Sequence, residues 1–159
     1  MTLQGFLYVG SGGSVIFFDT RSARLERYLL RILIVDDHEA VRAGVRAILG
    51  SREGLEVCGE AANGREAVAR VRELLPDLVI LDITMPVLDG FSAAREIHRA
   101  LPNVAILLLS MHESPNLINI AKSSGAHGYV SKSDGAAVLL RAVDAVAHSR
   151  TFFPGEARN

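Results

Sequence analysis

The sequence predicts an α/β fold, a doubly wound parallel sheet of five strands with five helices. Three observations carry this reading. Apolar runs such as Ile32 to Val35, Leu78 to Leu81 and Val104 to Leu109 are too short for helices and lack alternation, as strands buried on both faces do. Between them, apolar residues recur at helical spacing. The links are short and carry Gly, Pro and Asn, which suits right-handed crossovers between neighbouring parallel strands.

Composition agrees with a compact fold. The chain has 159 residues, 49% of them hydrophobic, enough for one domain with a full core. A formal net charge of -1 gives no global electrostatic case for nucleic-acid binding. Cys58 is the single cysteine, so no internal disulfide is available, and one buried thiol suits a reducing cytoplasm. No apolar run is long enough to span a bilayer.

Residues 1–30 stand apart from the pattern. Phe6 to Val9 and Val15 to Phe18 are apolar runs around Gly10-Ser11-Gly12-Gly13-Ser14, compatible with a hairpin or a loose extension. Arg21, Arg24, Arg27 and Arg31 with Leu25, Leu29 and Leu30 fit a short basic helix. The start lacks the cationic head and continuous apolar centre of a signal peptide. This segment is read as an N-terminal extension of unassigned function, ahead of a domain over residues 31–150.

In that domain, Ile32 to Val35 forms the first strand and ends in Asp36-Asp37. Val41, Val45, Ile48 and Leu49 line the first helix, and Gly50 closes it. Leu55 to Glu60 alternates like a second strand. Asn63-Gly64 turns into a helix with Ala67, Val68, Val71, Leu74 and Leu75 on its apolar face, which Pro76 stops. Asp77 to Asp82 is the third strand. Met85-Pro86 breaks regular structure, and Asp89-Gly90 starts a helix marked by Phe91, Ala94, Ile97 and Leu101. Val104 to Leu109 is the fourth strand, ending at Ser110. Leu117, Ile120 and Ala121 mark a weaker helix ending near Gly125. His127 to Val130 is a short fifth strand leading to Ser131-Lys132. Ser133 or Asp134 caps a last helix that buries Leu139, Ala142, Val143 and Val146. Residues 151–159 read as a tail or the start of a linker.

The strand ends carry the chemistry. In a parallel sheet they share one edge, where ligands bind, so Asp36, Asp37, Asp82, Ser110 and Lys132 converge. Each has a duller reading alone: Asp37 as a helix cap, Ser110 as a loop hydroxyl, Lys132 as a solvated cation, and Asp89 as a turn and cap residue. Together they place fitting residue types at four strand ends. Close carboxylates repel unless a cation shares their site. Oxygen ligands, with no Cys or His pair nearby, favour Mg²⁺. A cation, an ammonium and a hydroxyl beside a nucleophilic carboxylate describe a phosphoryl acceptor, with the acyl phosphate on Asp82.

Residues Arg31 to about Arg150 resemble a bacterial two-component response-regulator receiver domain. The resemblance rests on Ile34-Val35-Asp36-Asp37-His38, Asp82-Ile83-Thr84-Met85-Pro86-Val87-Leu88-Asp89-Gly90, Leu109-Ser110 and Val130-Ser131-Lys132. Asp37-His38-Glu39, Ala126 to Lys132 and Thr151-Phe152-Phe153 are similar to the NarL/FixJ (LuxR-type) subfamily, whose receivers usually precede a helix-turn-helix DNA-binding domain.

The resemblance implies a flavodoxin-like sheet of strand order 2-1-3-4-5. It implies that a sensor histidine kinase phosphorylates Asp82, that Asp37 and Asp82 ligate Mg²⁺ with Asp36 acting through water, and that the Thr84 carbonyl completes the protein's share. Lys132 would pair with the phosphoryl oxygens. Ser110 would swing in to bond them and Tyr129 would follow, changing a dimerisation surface on the fourth helix, fifth strand and fifth helix, or on the first and fifth helices. Such a module is cytoplasmic, regulates transcription, and is no turnover enzyme beyond its own phosphorylation and dephosphorylation. Met111 stands where many receivers have Ala or Gly and is expected to narrow access to the acceptor, while His112 and Thr84 flank the path of hydrolytic water. With the chain ending at Asn159, DNA binding would belong to a C-terminal domain outside it, or the receiver acts alone.

Other readings fit less well. A haloacid-dehalogenase-type phosphatase wants a second carboxylate two residues after its nucleophile, where Thr84 stands. A flavin-mononucleotide binder of the same sheet order needs a phosphate cradle in the first loop, where Asp36 and Asp37 would repel the ligand. A degenerate receiver serving as a constitutive protein-binding module is the alternative within the fold.

Overall fold

A computed structural model describes residues 5–9, 15–19 and 25–156. Strands β1 (Gly5–Val9), β2 (Val15–Asp19) and β3 (Leu25–Tyr28) form a three-stranded antiparallel sheet. The expected hairpin is present, with Phe6 opposite Phe18 and Val9 opposite Val15. The expected basic helix over Arg21 to Arg31 is not. Leu25–Tyr28 instead pairs as a strand with β2, Val15 opposite Tyr28 and Phe18 opposite Leu25. Helical spacing of Leu25 and Leu29 is overridden here by backbone pairing to a distant partner, which local spacing does not report. Residues 21–24 of that expected helix lie outside the described residues.

The second sheet contains β4 (Leu30–Val35), β5 (Leu55–Ala61), β6 (Leu78–Asp82), β7 (Ala105–Ser110) and β8 (Gly128–Ser131). All pair in parallel, in the order β5-β4-β6-β7-β8. Counted within this sheet, that is the expected 2-1-3-4-5. Helices α1 (Glu39–Gly50), α2 (Gly64–Leu74), α3 (Gly90–Ala100), α4 (Pro115–Ser123) and α5 (Ala136–Ala147) follow the strands in turn. None of the described helices is long and apolar enough to cross a membrane.

Strand period 2 sorts the core into two layers. On one face Ile32, Ile34, Leu78, Ile80, Leu107, Leu109 and Val130 meet Val45 and Leu49 of α1 and Leu139, Val143 and Val146 of α5. On the other face Leu33, Val35, Val79, Leu81, Ile106, Leu108 and Tyr129 meet α2, α3 and Ala121 of α4. Every residue of β6 is buried, which explains why its sequence shows no alternation. The first crossover runs from β4 to β5 and the next returns past β4 to β6. The sheet therefore reverses direction between β4 and β6, and ligand crevices open at such points.

Several element ends are set by identifiable residues. Asn63 caps α2 and Asp89 caps α3, each side chain accepting a backbone N–H three residues on. Leu75, left-handed at φ 48, ends α2 before Pro76, whose ring disfavours a helical predecessor. The expected cap of α5 is corrected. Gly135 precedes that helix at φ 85 with no side-chain cap, because Asp134 turns back to accept the Ser131 N–H at 3.1 Å. Cys58 sits at a register shift between β4 and β5, half-buried, and burial pushes its thiol pKa up.

The loop after β6 is clamped by two glycines. The Gly90 N–H donates to the Ile83 carbonyl at 2.8 Å, and the Gly64 N–H donates to the Leu88 carbonyl at 3.0 Å. A Cβ on Gly90 would lie 2.1 Å from the Asp82 carbonyl oxygen, and one on Gly64 would lie 2.3 Å from that of Leu88. Gly90→Ala should therefore lower stability by about 1–3 kcal/mol, the usual cost of forced overpacking, read as a lower urea midpoint. Gly44→Ala is the control: nothing lies within 4 Å of its added Cβ, so an interior helix glycine replaced there should stabilise by up to about 1 kcal/mol.

Candidate functional site

The carboxyl ends of β4, β6, β7 and β8 bring Asp36, Asp37, Asp82, Ser110 and Lys132 to one edge, as the parallel order requires. Asp36 and Asp82 are 1% and 3% exposed. Buried carboxylates need partners, and Lys132 provides one. Its Nζ lies 2.6 Å from Asp36 Oδ2 and 3.0 Å from Asp82 Oδ1. The Lys132 backbone N–H donates to the Ser110 carbonyl at 2.8 Å, which registers the loop after β8 on the end of β7. The ammonium thus bridges the ends of β4 and β6, and the backbone of Lys132 ties in the end of β7.

The electrostatics follow from that crowding. Burial raises the Asp82 pKa; the Lys132 hydrogen bond opposes the rise, and the Asp36 and Asp37 charges reinforce it. Burial disfavours the charge on Lys132, but its bonds to Asp36 and Asp82 outweigh this and hold its pKa above the usual value.

Asp36 is held on all sides. Its Oδ1 accepts the His38 N–H at 2.8 Å, and its carbonyl accepts from Arg42 Nη1 at 2.8 Å. Asp37 does not cap α1: the cap position belongs to His38, with no side-chain cap bond. Asp37 Oδ1 is buried and has no hydrogen-bond partner. Nearby, His38 Nδ1 lies 3.3 Å from Asp36 Oδ1 and 3.1 Å from Asp37 Oδ1. An orphaned carboxylate oxygen beside two further carboxylates is a donor set suited to a hard cation.

Ser110 and Tyr129 are joined through the backbone of His112. The His112 N–H donates to Ser110 Oγ at 3.0 Å, and the Tyr129 hydroxyl donates to the His112 carbonyl. Tyr129 is fully buried. Burial raises its phenol pKa, against which a Ser110 bond acts, and the Glu113 charge adds to the rise. Met111, His112 and Thr84 are exposed at the rim. Asp89 lies outside the cluster as a cap, bonded to the Ser92 N–H and hydroxyl. Sequence reasoning missed the placement of the His38 ring, the Arg42 bond and the His112 clasp. The last two use backbone carbonyls, which leave no trace in residue types.

Comparison with known proteins adds the family context. The model of the response regulator receiver domain matches residues 32–144. The response regulator GacA of Pseudomonas viridiflava is 35% identical over 115 residues, covering 72% of this chain and 54% of GacA. The chain thus spans little more than half of that relative's length. A LuxR-family two-component response regulator from Aurantimonas sp. SI85-9A1 superposes with TM-score 0.77 at 37% identity, over 80% of this chain and 91% of that one. A chain of the CheX-CheY-BeF3-Mg+2 complex from Borrelia burgdorferi superposes with TM-score 0.69 at 30% identity, over 72% of this chain and 86% of that one.

The raised Asp82 pKa has a sign. A carboxyl that holds its proton more tightly when folded weakens the fold once ionised. That penalty is full above the raised pKa and vanishes as pH falls below the ordinary carboxylate range. Asp82→Asn should therefore stabilise the metal-free protein at pH 7. Urea midpoints measured in chelator from pH 7 to pH 3.5 should show the gain shrinking as pH falls.

Proposed function

Because the chain belongs to the response regulator receiver family, we propose that residues 31–150 form a phosphorylation-switched receiver with Asp82 as phosphoacceptor. The observation that carries this is one buried strand-end carboxylate, Asp82, with the Lys132 ammonium 3.0 Å away and a carboxylate pair, Asp36 and Asp37, on the adjacent strand end.

The donor of the phosphoryl group is a phosphohistidine on a sensor kinase. An Asp82 carboxylate oxygen attacks phosphorus, the bond to the kinase imidazole breaks, and an acyl phosphate forms on Asp82. Lys132 is placed to follow the transferred oxygens, exchanging its bond to Asp82 Oδ1 for bonds to the phosphoryl group. Asp37 and Asp82 would hold Mg²⁺ directly, Asp36 through water, and the Thr84 carbonyl would add a further oxygen. The orphaned Asp37 oxygen and the Mg²⁺ in the Borrelia burgdorferi complex support this choice. When bound, that cation offsets the negative charge brought together on the carboxylates and the incoming phosphoryl group.

The switch follows from the His112 clasp. Ser110 turning towards a phosphoryl oxygen gives up the His112 N–H. The loop between β7 and α4 is then free to move, and with it the carbonyl that holds the Tyr129 hydroxyl. Tyr129 moves into the space that Ser110 leaves. The surface of α4, β8 and α5, or of α1 and α5, changes and controls homodimerisation. The output is transcription through a helix-turn-helix domain C-terminal to these residues, and residues 1–30 are an extension ahead of the receiver. The setting is the cytoplasm, and the only reaction catalysed is the protein's own phosphorylation and dephosphorylation.

Intact mass after incubation with acetyl phosphate checks the reading. One phosphate adduct is expected on the wild type with Mg²⁺, and none with chelator or in Asp82→Asn. Size exclusion of the phosphorylated sample should show a shift to dimer. Absence of an adduct under every condition would move the reading to a constitutive binding module.

A further inference from the structure

His38 is a side chain beside the carboxylates that the phosphoryl chemistry leaves unused. It occupies the N-cap position of α1 in an extended conformation, φ -100 and ψ 116, and makes no cap bond. Its backbone is pinned, since its N–H donates to Asp36 Oδ1 at 2.8 Å. The ring turns back over the strand end, with Nδ1 3.3 Å from Asp36 Oδ1 and 3.1 Å from Asp37 Oδ1. Ligands at adjacent corners of an octahedron, each about 2.1 Å from the ion, are about 3.0 Å apart. Asp36, Asp37 and His38 each offer a ligand atom, and these atoms lie within 4.8 Å of one another. The 3.1 Å between His38 Nδ1 and Asp37 Oδ1 is that of adjacent corners on one face of a coordination sphere.

The other groups around the pair do not fill this face. Lys132 takes Asp36 Oδ2, the far oxygen of that carboxylate. Arg42 is spent on the Asp36 carbonyl. Asp37 Oδ1 is buried without a hydrogen-bond partner, so its 3.1 Å approach to His38 Nδ1 has no bond geometry behind it. His38 Nδ1 is within hydrogen-bond distance of Asp36 Oδ1 at 3.3 Å, but an exposed imidazole held against carboxylates is a weak pair. As donors to a shared ion, Nδ1 and Asp37 Oδ1 would supply the nitrogen and one oxygen of a mixed set.

We propose that His38 Nδ1 is a direct ligand of the cation that Asp37 would hold directly and Asp36 through water, and that it shifts the site from Mg²⁺ towards Mn²⁺ and later first-row divalent ions. The inference rests on the reading that these carboxylates hold a cation. Imidazole adds little to a hard oxygen site for Mg²⁺. It adds more for Mn²⁺, and more again along the series to Co²⁺ and Ni²⁺. A receiver so equipped would be loaded, and therefore phosphorylated, according to transition-metal supply as well as Mg²⁺.

The test uses the full chain with Mn²⁺ as the probe. Pulsed electron paramagnetic resonance of the Mn²⁺-loaded wild type should show ¹⁴N modulation that changes on [¹⁵N]histidine labelling. It should vanish in both His38→Ala and His38→Gln. Calorimetry should show the Mn²⁺ Kd weakened on the order of ten-fold in either variant, with the Mg²⁺ Kd nearly unchanged. Mn²⁺ bound equally well by wild type and variants, without nitrogen modulation, overturns the His38 assignment and leaves the carboxylate site standing. If neither ion binds the wild type, or Asp37→Asn binds as well as wild type, the cation reading itself fails, and the His38 assignment with it.

Discussion

The site depends on one largely enclosed ammonium. Lys132 enters from the last strand of the sheet and reaches the ends of the first and third strands counted in chain order within it. Nearly fully buried carboxylates on adjacent strands would repel strongly without it. Replacing such a cluster by apolar residues commonly stabilises a protein, so the arrangement is a cost the fold carries for chemistry. The two apolar layers supply what offsets it. Each buried Leu, Ile or Val side chain of β4, β6 and β7 contributes about 1.5–3 kcal/mol relative to exposure.

Holding charges that repel in one place requires a stiff backbone behind them, and the loops show how it is done. The segment after Asp82 is tied to α2 through the Gly64 bond to Leu88 and to its own strand end through the Gly90 bond to Ile83. Both helices begin against that loop, so its carbonyls are placed by α2 and α3 together. Asp36 is fixed from its backbone and side chain at once. By contrast, the connection from β7 to α4 is held to Ser110 and Tyr129 by the backbone N–H and carbonyl of His112. The backbone around Asp82 and Asp36 is thus tied at several points, whereas the loop after Ser110 is held at fewer.

Much of this was legible in the sequence, and the reasons are physical. Parallel strands buried on both faces read as apolar runs. Their carboxyl ends share one edge by topology, so a polar residue after each run places itself. Asp36, Asp37, Asp82, Ser110 and Lys132 were found that way, and Asp89 was recognised as a cap by its position before Gly90. What escaped depends on nonlocal backbone partners. Leu25 to Tyr28 has helical spacing but pairs with β2 as a strand. Ser133 or Asp134 reads as the cap of α5, yet Gly135 holds that position and Asp134 spends its carboxylate on Ser131. The His112 clasp and the Arg42 bond run through carbonyls that every residue possesses.

The far side of Tyr129 extends the same logic to the sheet edge. Its N–H donates to the Phe152 carbonyl at 2.8 Å, and the Phe152 N–H donates to the His127 carbonyl at 3.0 Å. Residues just past α5 therefore lie alongside the start of β8, bridged at Gly128 and Phe152. An uncovered edge strand invites pairing with other chains, and this segment covers its first residues. Phe153 is buried in the layer that holds Tyr129. Lys122 of α4 sits 4.9 Å from the Phe153 ring and pairs with Glu156 at 2.8 Å. The residue whose hydroxyl reads the loop beside Ser110 thus carries on its backbone the segment that leaves the domain. Tyr129 and Phe153 are buried in one layer, so the strand and the segment after α5 share one packing constraint, and α4 is tied to that segment through Lys122.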